Sequence, residues 1–303
     1  MMKKAPYYYT YAGIGTFGTF GNTSDSESTQ QKYTIIQSLW TRPITDKQKL
    51  RDTLFIAALS LEYAHRSGFR VHMHTDSKGM ALLKGFGYNK LVATLDKIPA
   101  TVPTELFAVG KFYAMRAEGL TGKIHVDIDV FLKKRGIFDT FYENKRVDCI
   151  CQMEEDMPLI DHSAIISAMF TLGYPAATRP NWNGSMNTGI VGFNNRALAT
   201  RYVNNYFDAL KMYSVKTFAA YKTEHPDACL CFDFILEQVN LSCMTVGYNV
   251  QTIVPTKNCD AVADRIGYQH LQGCAKWAYI QKVKTLLQKL NPSLYNTVNI
   301  ASI

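Results

Sequence analysis

The chain has 303 residues, of which 47% are hydrophobic, and its formal net charge is +8 at neutral pH. This apolar fraction excludes a chain that is disordered throughout, and the length suffices for one large α/β domain or two modest ones. The positive charge favours anionic ligands such as phosphates, nucleic acid or an acidic membrane surface, without choosing among them.

The first 28 residues are rich in Tyr, Gly, Ser and Thr, and we interpret them as an extension that precedes a domain over residues 29–303. They contain a literal G-x-G-x-x-G that is followed by a Ser/Thr/Asp run instead of a helix, so we interpret it as a chance match. No segment resembles a signal peptide or approaches the about 18 consecutive apolar residues of a membrane span. We therefore expect a cytoplasmic protein.

From residue 33 onwards, strand and helix patterns alternate. Strands are predicted over 33–40 and 69–76, and helices over 45–68, 77–87 and the second part of 98–120. The first helix is predicted to have its cap at Thr45 and its stop at Gly68. Strands that alternate with helices predict a largely parallel sheet with right-handed crossovers.

The segment KIHVDIDVFLKK, residues 123–134, is predicted to be one strand because apolar side chains alternate with His125, Asp127 and Asp129. Buried carboxylates are normally paired, neutralised or bound to a metal. A salt bridge to Lys123 or Lys133 is one explanation. The sharper one is a divalent cation held by these carboxylates and by substrate phosphate oxygens.

The second half is less regular, with a strand predicted over 186–195 and helices over 226–242 and 276–290. The last helix carries Ile280, Val283, Leu286 and Leu290 on one face. We interpret this basic amphipathic helix mainly as core packing, with peripheral contact to a membrane surface as the alternative.

Four further segments carry polar residues in a recognisable order: AVGKFYAMR with Lys111, MNTGIVGFNN with Asn187, Thr188 and Gly189, LEQVNL with Glu237 and Gln238, and HLQGCAKW with His270, Gly273, Lys276 and Trp277. Together with D-x-D they resemble the motifs of GT-A glycosyltransferases of the glycogenin type. Those motifs are a donor-binding lysine, D-x-D, an N-[ST]-G strand, an acidic-Gln pair and H-x-x-G-x-x-K-P-W. The stretches VHMHTDSKG and IHVDIDVFLKK are also similar to a group of uncharacterised bacterial GT-A proteins. The resemblance spans residues 33–277.

This resemblance implies a single-domain, Rossmann-like GT-A fold of the α/β class, with a mostly parallel central sheet flanked by helices. It also implies transfer of a hexose from a nucleotide sugar, with a uridine diphosphate (UDP) sugar as the expected donor, to a glycan, lipid-linked or other acceptor. Retention of configuration would follow. Charge that develops on the leaving phosphate is stabilised directly by a divalent metal and a fixed lysine.

The resemblance assigns roles to residues of this chain. Asp127, Asp129 and His270 would hold Mn²⁺ or Mg²⁺, and Glu237, Gln238 and Asn187 are the expected catalytic set. The expected donor-binding residues are Lys111, Asp127, Thr188, Gly189, Gly273, Lys276, Asp76 and Gln37. The two glycines would let the backbone approach the ligand closely, and the amides of Asn187 and Gln238 can bond to sugar hydroxyls.

Two departures from the family pattern leave part of the site open. Trp277 follows Lys276 directly, without the intervening proline. Phe234 stands where family members carry an Asp three residues before the acidic-Gln pair, which leaves open the residue beneath the anomeric carbon.

Simpler roles are also available for single residues. His270 could be structural, Glu237 could lie on the surface of an amphipathic helix, and Asn187 could end a strand. Asp76 is preferentially interpreted as a helix cap. His72 and His74 could bind metal as H-x-H, although strand alternation explains them, and His125 is expected to support Asp127 rather than to bind metal.

Two other classes of function compete with an enzyme. A catalytically silent GT-A protein could serve as a nucleotide- or glycan-binding module, which is favoured if Glu237 lies outside the site. A nucleic-acid binder is suggested by charge alone. Because aromatic and basic residues interleave too sparsely, we expect no nucleic-acid partner.

Overall fold

The computed structural model describes residues 33–156, 184–212, 233–255, 259–271 and 275–301. The predicted extension and Gly273 lie outside these residues. The strands are β1 Tyr33–Leu39, β2 Phe69–Thr75, β3 Lys90–Val92, β4 Ile124–Val126, β5 Val130–Leu132, β6 Cys149–Asp156, β7 Gly184–Phe193, β8 Val250–Thr252 and β9 Tyr268–His270. The helices are α1 Lys47–Arg66, α2 Ser77–Leu83, α3 Val109–Glu118, α4 Asp139–Glu143, α5 Arg196–Met212, α6 Asn240–Met244, α7 Cys259–Ile266, α8 Ala275–Ala278, α9 Ile280–Leu290 and α10 Pro292–Ile300.

A seven-stranded sheet forms the centre of the described chain, in the order β3-β2-β1-β4-β7-β6-β8. β1 pairs in parallel with β2 and β4, and parallel pairs also join β2 to β3 and β6 to β8. β7 runs antiparallel to both of its neighbours. This mostly parallel sheet, flanked by helices, confirms the predicted α/β class.

Two apolar cores cover the two faces of the sheet, as a mostly parallel sheet requires. One core packs α1, α9 and α10 against the sheet and includes Ile35 and Val71. The other packs α3, α5 and α6 and includes Val109, Val191 and Tyr202. The carboxyl edge of the sheet therefore lies between the two helical layers. Polar residues are found at this edge.

The predicted segment 123–134 is not one strand. It divides into β4, in the large sheet, and β5, which pairs antiparallel with β9 in a separate two-stranded sheet. A turn separates them, since the Val130 amide donates to the carbonyl of Asp127 at 3.0 Å. Alternation gave no sign of this break because both halves are apolar strands. The consequence is that Asp127 and Asp129 lie on a turn at the carboxyl end of β4.

Helix boundaries differ from the predictions by small amounts with clear causes. α1 has Asp46, not Thr45, as its N-cap, because the Asp46 carboxylate accepts from the Lys49 amide at 2.6 Å. Gly68 follows its end with φ of 80°, a conformation that glycine adopts without strain, as predicted. The predicted helix 77–87 ends earlier, with α2 at Leu83.

The predicted helix 276–290 is interrupted at Tyr279 and forms α8 and α9. α9 packs against α1 and α10, and Val283 and Leu287 on its inner face are fully buried. This confirms the interpretation of the basic helix as core packing. Among the described residues, no helix combines the length and the apolar character needed to cross a membrane.

Candidate functional site

The candidate site lies where the chain changes direction across the sheet. From β1, one connection leads to β2 on one side, while β4 pairs with β1 on the other side. Crevices at the carboxyl ends of such strands are the usual ligand sites of open α/β sheets. Because β7 is antiparallel, its first residues reach the same edge, and the Asp127 amide donates to the Gly189 carbonyl at 2.8 Å.

Three potential metal ligands converge at this edge. One ligand atom from each of Asp127, Asp129 and His270 lies within 4.8 Å of the others. The pairing of β5 with β9 sets His270 opposite Val130, and its Nε2 is 3.3 Å from Asp129 Oδ1. The predicted approach of the imidazole to both carboxylates is confirmed, and metal binding itself stays a prediction.

Lys276 adds a positive charge to this cluster. Its Nζ donates to Asp129 Oδ2 at 2.9 Å, and its side chain is 29% exposed. Burial would raise the pKa of Asp129, but the charge of the neighbouring Lys276 ammonium holds that pKa well below its ordinary value. Asp129 is therefore ionised at neutral pH, and Lys276 lies at the rim of the site next to it.

Lys111 reaches the cluster from α3, which packs on the face of the sheet opposite to α1. It is 4% exposed, and its Nζ donates to the Thr188 carbonyl at 2.7 Å. It also lies 3.1 Å from Asp127 Oδ1 and contacts the Glu237 carboxylate. Burial would lower the pKa of Lys111, but Asp127 and Glu237 together raise it above its ordinary value. Lys111 is thus a buried charge shared by two carboxylates.

The site holds more negative than positive charge around Asp127. Burial, together with the charges of Glu237 and Asp129, raises the pKa of Asp127 to about 6, although Lys111 opposes this shift. The Asp127 side chain is still 32% exposed, so its carboxylate faces solvent. Two carboxylates and one imidazole in such an environment fit a divalent cation such as Mn²⁺ or Mg²⁺.

Glu237 and its neighbours complete the wall of the site. Glu237 is 4% exposed and its Oε1 accepts from Thr188 Oγ1 at 2.5 Å. It is therefore not a surface residue, and its contact with Lys111 links it to the ligand cluster. Among the described residues, the buried Oε1 of Gln238 has no hydrogen-bond partner.

Asn187 is held at the start of β7. Its Nδ2 donates to Glu155 Oε1 at 2.7 Å, while its Oδ1 accepts from the Gly189 amide at 2.9 Å. It is 6% exposed. Asn187 thus braces the strand that carries Thr188 to the site.

Gly189 makes room for protein atoms, and its approach to a ligand stays a prediction. A Cβ at this position would lie 2.4 Å from Gln152 Oε1, 2.6 Å from His270 Cε1 and 2.9 Å from His270 Nδ1. The absence of a side chain is therefore what lets His270 and Gln152 meet over β7.

Gln37 and Asp76 differ from their assignment to the donor site. Gln37 is fully buried and donates to Ser60 Oγ at 2.8 Å, which makes it a core side chain that ties β1 to α1. The Asp76 carboxylate accepts from Thr41 and Arg42 in the loop after β1 and caps α2 through the Gly79 amide at 2.8 Å. The capping interpretation of Asp76 is confirmed.

Three other histidines in the described part of the chain, His72, His74 and His125, have protein partners. His72 Nδ1 and His74 Nε2 lie 3.0 Å and 3.1 Å from the buried Glu118 carboxylate, which also contacts two lysines, so this H-x-H is part of an ion-pair network. His125 Nδ1 is 3.6 Å from Asp127 Oδ1. Burial, and then the Lys111 charge, lower the pKa of His125 well below its ordinary value, so it supports the site as a neutral ring.

Sequence reasoning missed two buried residues, Gln152 and Asp233. Gln152 Oε1 lies 2.7 Å from His270 Nδ1. Asp233 accepts from the Ala108 amide at 2.6 Å, just before α3, and from the Tyr206 hydroxyl at 3.0 Å. Burial, and then the Glu237 charge, raise the pKa of Asp233 to about 8.

Asp233 lies one residue before Phe234, the position where the resembled family carries Asp, and a π-helical turn follows Phe234. The turn spans Ile235–Val239 and leads directly into α6. It belongs to the segment predicted as helix 226–242, of which residues 233–242 are described. A π turn holds one residue more than an α turn.

One family model matches most of the chain. It describes a family of unknown function, DUF6734, and it matches residues 33–299. Among proteins with curated descriptions, none matches the chain.

Three solved structures resemble the described fold at low identity. A galactosyltransferase, LgtC, in complex with donor and acceptor sugar analogues is 12% identical at a TM-score of 0.39, over 88% of this chain and 99% of that one. The glycosyltransferase GlyE of Streptococcus pneumoniae is 9% identical at 0.34, over 73% of this chain and 45% of that one. Mouse xyloside xylosyltransferase 1 is 14% identical at 0.35, over 64% of this chain and 83% of that one. At TM-scores this low, the likenesses assign no function to this chain.

Proposed function

The chain belongs to this family of unknown function, and we propose that it is a metal-dependent GT-A glycosyltransferase that transfers a hexose from a nucleotide sugar, with a UDP-sugar as donor. The observation that carries the proposal is the convergence of Asp127, Asp129 and His270, with Lys276 on Asp129. These residues belong to motifs that lie far apart in the sequence and come together at this site. The mostly parallel sheet with the cluster at its carboxyl edge agrees with this proposal.

The charges of the cluster suit a nucleoside diphosphate. A divalent ion, held by Asp127, Asp129 and His270, would supply positive charge to the leaving diphosphate. Lys276, half-buried at the rim, can exchange its contact with Asp129 for a phosphate oxygen as a point charge. These groups favour departure of the diphosphate and leave the sugar to be held by other residues.

The sugar would lie on the side of the site formed by β7 and the π-helical turn. Lys111 and Thr188 fix the orientation of the Glu237 carboxylate, because both contact the same oxygen. The buried Oε1 of Gln238 has no partner among the described residues and can accept from a sugar hydroxyl. We assign Glu237, Gln238 and Asn187 to the reacting end of the donor, and retention of configuration belongs to the proposal.

The experiment is donor turnover. The protein is incubated with a panel of UDP-sugars with and without Mn²⁺, and UDP release is measured for the wild type and for Asp129→Asn. Asp208→Asn, at an exposed position on α5, is the matched control. We expect Mn²⁺-dependent release from at least one donor, its loss by orders of magnitude in Asp129→Asn, and wild-type release in the control.

The same experiment separates the enzyme from a silent binding module. A protein that binds UDP in the presence of Mn²⁺ but releases none from any donor would be a nucleotide-binding module of the same fold. A protein that neither binds UDP nor releases it would contradict both.

A further inference from the structure

Gln152 is a buried neutral residue beside the ligand cluster that the motifs did not point to. It lies on β6, is fully buried, and its Oε1 is 2.7 Å from His270 Nδ1. Its Nε2 is buried and has no partner in the part of the chain that the structure describes. A fully buried carboxamide with a single strong contact suggests a specific task for that contact.

The strand pairing directs Gln152 towards His270. The register of β6 against β7 shifts between Cys151 and Met153, which pair with Val191 and Asn187. Gln152 alone therefore lies opposite three residues of β7, numbers 188–190. Such irregularities re-aim side chains and are frequent beside functional sites. Here the irregularity coincides with Gly189, whose missing Cβ leaves the space that the contact occupies.

We propose that Gln152 is a positioning residue, which holds His270 with Nδ1 protonated and Nε2 directed at a divalent cation. This inference rests on the proposed function. A carboxamide oxygen accepts hydrogen bonds and cannot donate them, so its partner Nδ1 must carry the proton. In a neutral imidazole, Nε2 then has a free lone pair, which is the form that binds a metal.

The other side of the ring faces Asp129. Nε2 of His270 lies 3.3 Å from Asp129 Oδ1. With the proton on Nδ1, His270 Nε2 and Asp129 Oδ1 are both acceptors and face each other at this distance. This arrangement is favourable when a cation lies beside both atoms. Gln152 thus contacts one side of the ring while Asp129 lies on the other, and the Gln152 contact decides which nitrogen is offered to the cation.

The test is the affinity for Mn²⁺ alone, measured by isothermal titration calorimetry and by electron paramagnetic resonance on the full chain. Gln152→Leu removes the acceptor at similar volume, and Gln152→Glu keeps an acceptor at the same place. We expect Gln152→Leu to weaken Mn²⁺ binding by about 10- to 100-fold, the usual effect of losing the partner of a metal-binding histidine. Gln152→Glu should bind within about threefold of the wild type, because the acceptor is restored.

Two further variants make the result specific. Gln269→Leu replaces another buried glutamine, on β9 next to His270, and should leave Mn²⁺ affinity unchanged. In the His270→Ala background, Gln152→Leu should cost nothing more, since the residue it positions is gone. Urea unfolding of each variant shows that the comparison is made on folded protein.

The outcomes separate this inference from the proposed function. Wild-type Mn²⁺ affinity in Gln152→Leu, or equal losses in Gln152→Leu and Gln152→Glu, would overturn the role of Gln152 while leaving the metal site standing if His270→Ala loses binding. Wild-type affinity in His270→Ala and Asp129→Asn would instead overturn the metal site, and the proposed function with it.

Discussion

Replacing Gly189 by alanine tests the close packing on which the site depends. The new Cβ would lie 2.4 Å from Gln152 Oε1 and 2.6 Å from His270 Cε1, far inside van der Waals contact. Both atoms lie at the ends of side chains, so they can move away, and the fold should survive at a cost of about 1–3 kcal/mol, typical of overpacking in a core. The displaced imidazole should weaken Mn²⁺ binding by about 10- to 100-fold.

Gly192→Ala is the matched control on the same strand. Its Cβ would meet Ile124 Cγ1 at 2.8 Å and Ile150 Cγ2 at 3.1 Å, within the apolar core. Urea unfolding should show losses of similar size for both variants, while calorimetric Mn²⁺ titration should show a loss of affinity for Gly189→Ala alone. Equal Mn²⁺ affinities in the two variants would refute the view that the contact between His270 and Gln152 requires a residue without a side chain at position 189.

Two further predictions concern the buried ionisable groups Lys111 and Asp233. Lys111→Met removes the positive charge between the Asp127 and Glu237 carboxylates, so it should lower the free energy of unfolding in urea by about 3–5 kcal/mol. Adding Glu237→Gln to this variant should recover part of that loss. Strictly additive losses would contradict the view that Lys111 is shared by the two carboxylates. Asp233 has a pKa raised to about 8, so it retains its proton in the folded protein at a pH where the unfolded chain has lost it. Its stabilising contribution is therefore complete at acid pH and is lost as the pH rises towards 8, by up to about 1.4 kcal/mol per pH unit. Asp233→Asn should remove this dependence, being close to wild type in stability at pH 4 and more stable than wild type at pH 9. Parallel stability profiles of the two proteins would show that Asp233 is ionised in the fold.

The polar residues of the site could be named from the sequence because their chemistry is local to short motifs. The D-x-D spacing and the H-x-x-G-x-x-K segment by themselves indicate Asp127, Asp129, His270 and Lys276. What the sequence could not indicate was the turn between Asp127 and Val130. Two short apolar strands in separate sheets have the same alternation as one long strand, and their partners β7 and β9 are set by tertiary pairing.

The supporting residues depend on distant pairings and were missed for that reason. Gln152 faces His270 because of a register shift between β6 and β7, which no local pattern encodes. Asp233 reaches Tyr206 and the start of α3 across a π-helical turn, although helical spacing alone would have favoured an unbroken α-helix. Gln37 is among the expected donor-binding residues, but a side chain on β1 can face either layer, and this one faces α1.

The central claim is that Asp127, Asp129 and His270 hold a divalent ion that carries a nucleoside diphosphate. The most direct measurement is the anomalous scattering of manganese in crystals of the protein soaked with Mn²⁺ and UDP. We predict one strong peak within coordination distance of all three side chains, with diphosphate density on its open side and Lys276 turned towards it. Bound UDP without a manganese peak at these residues, or a peak held elsewhere while His270 keeps its contact with Asp129, would contradict the claim.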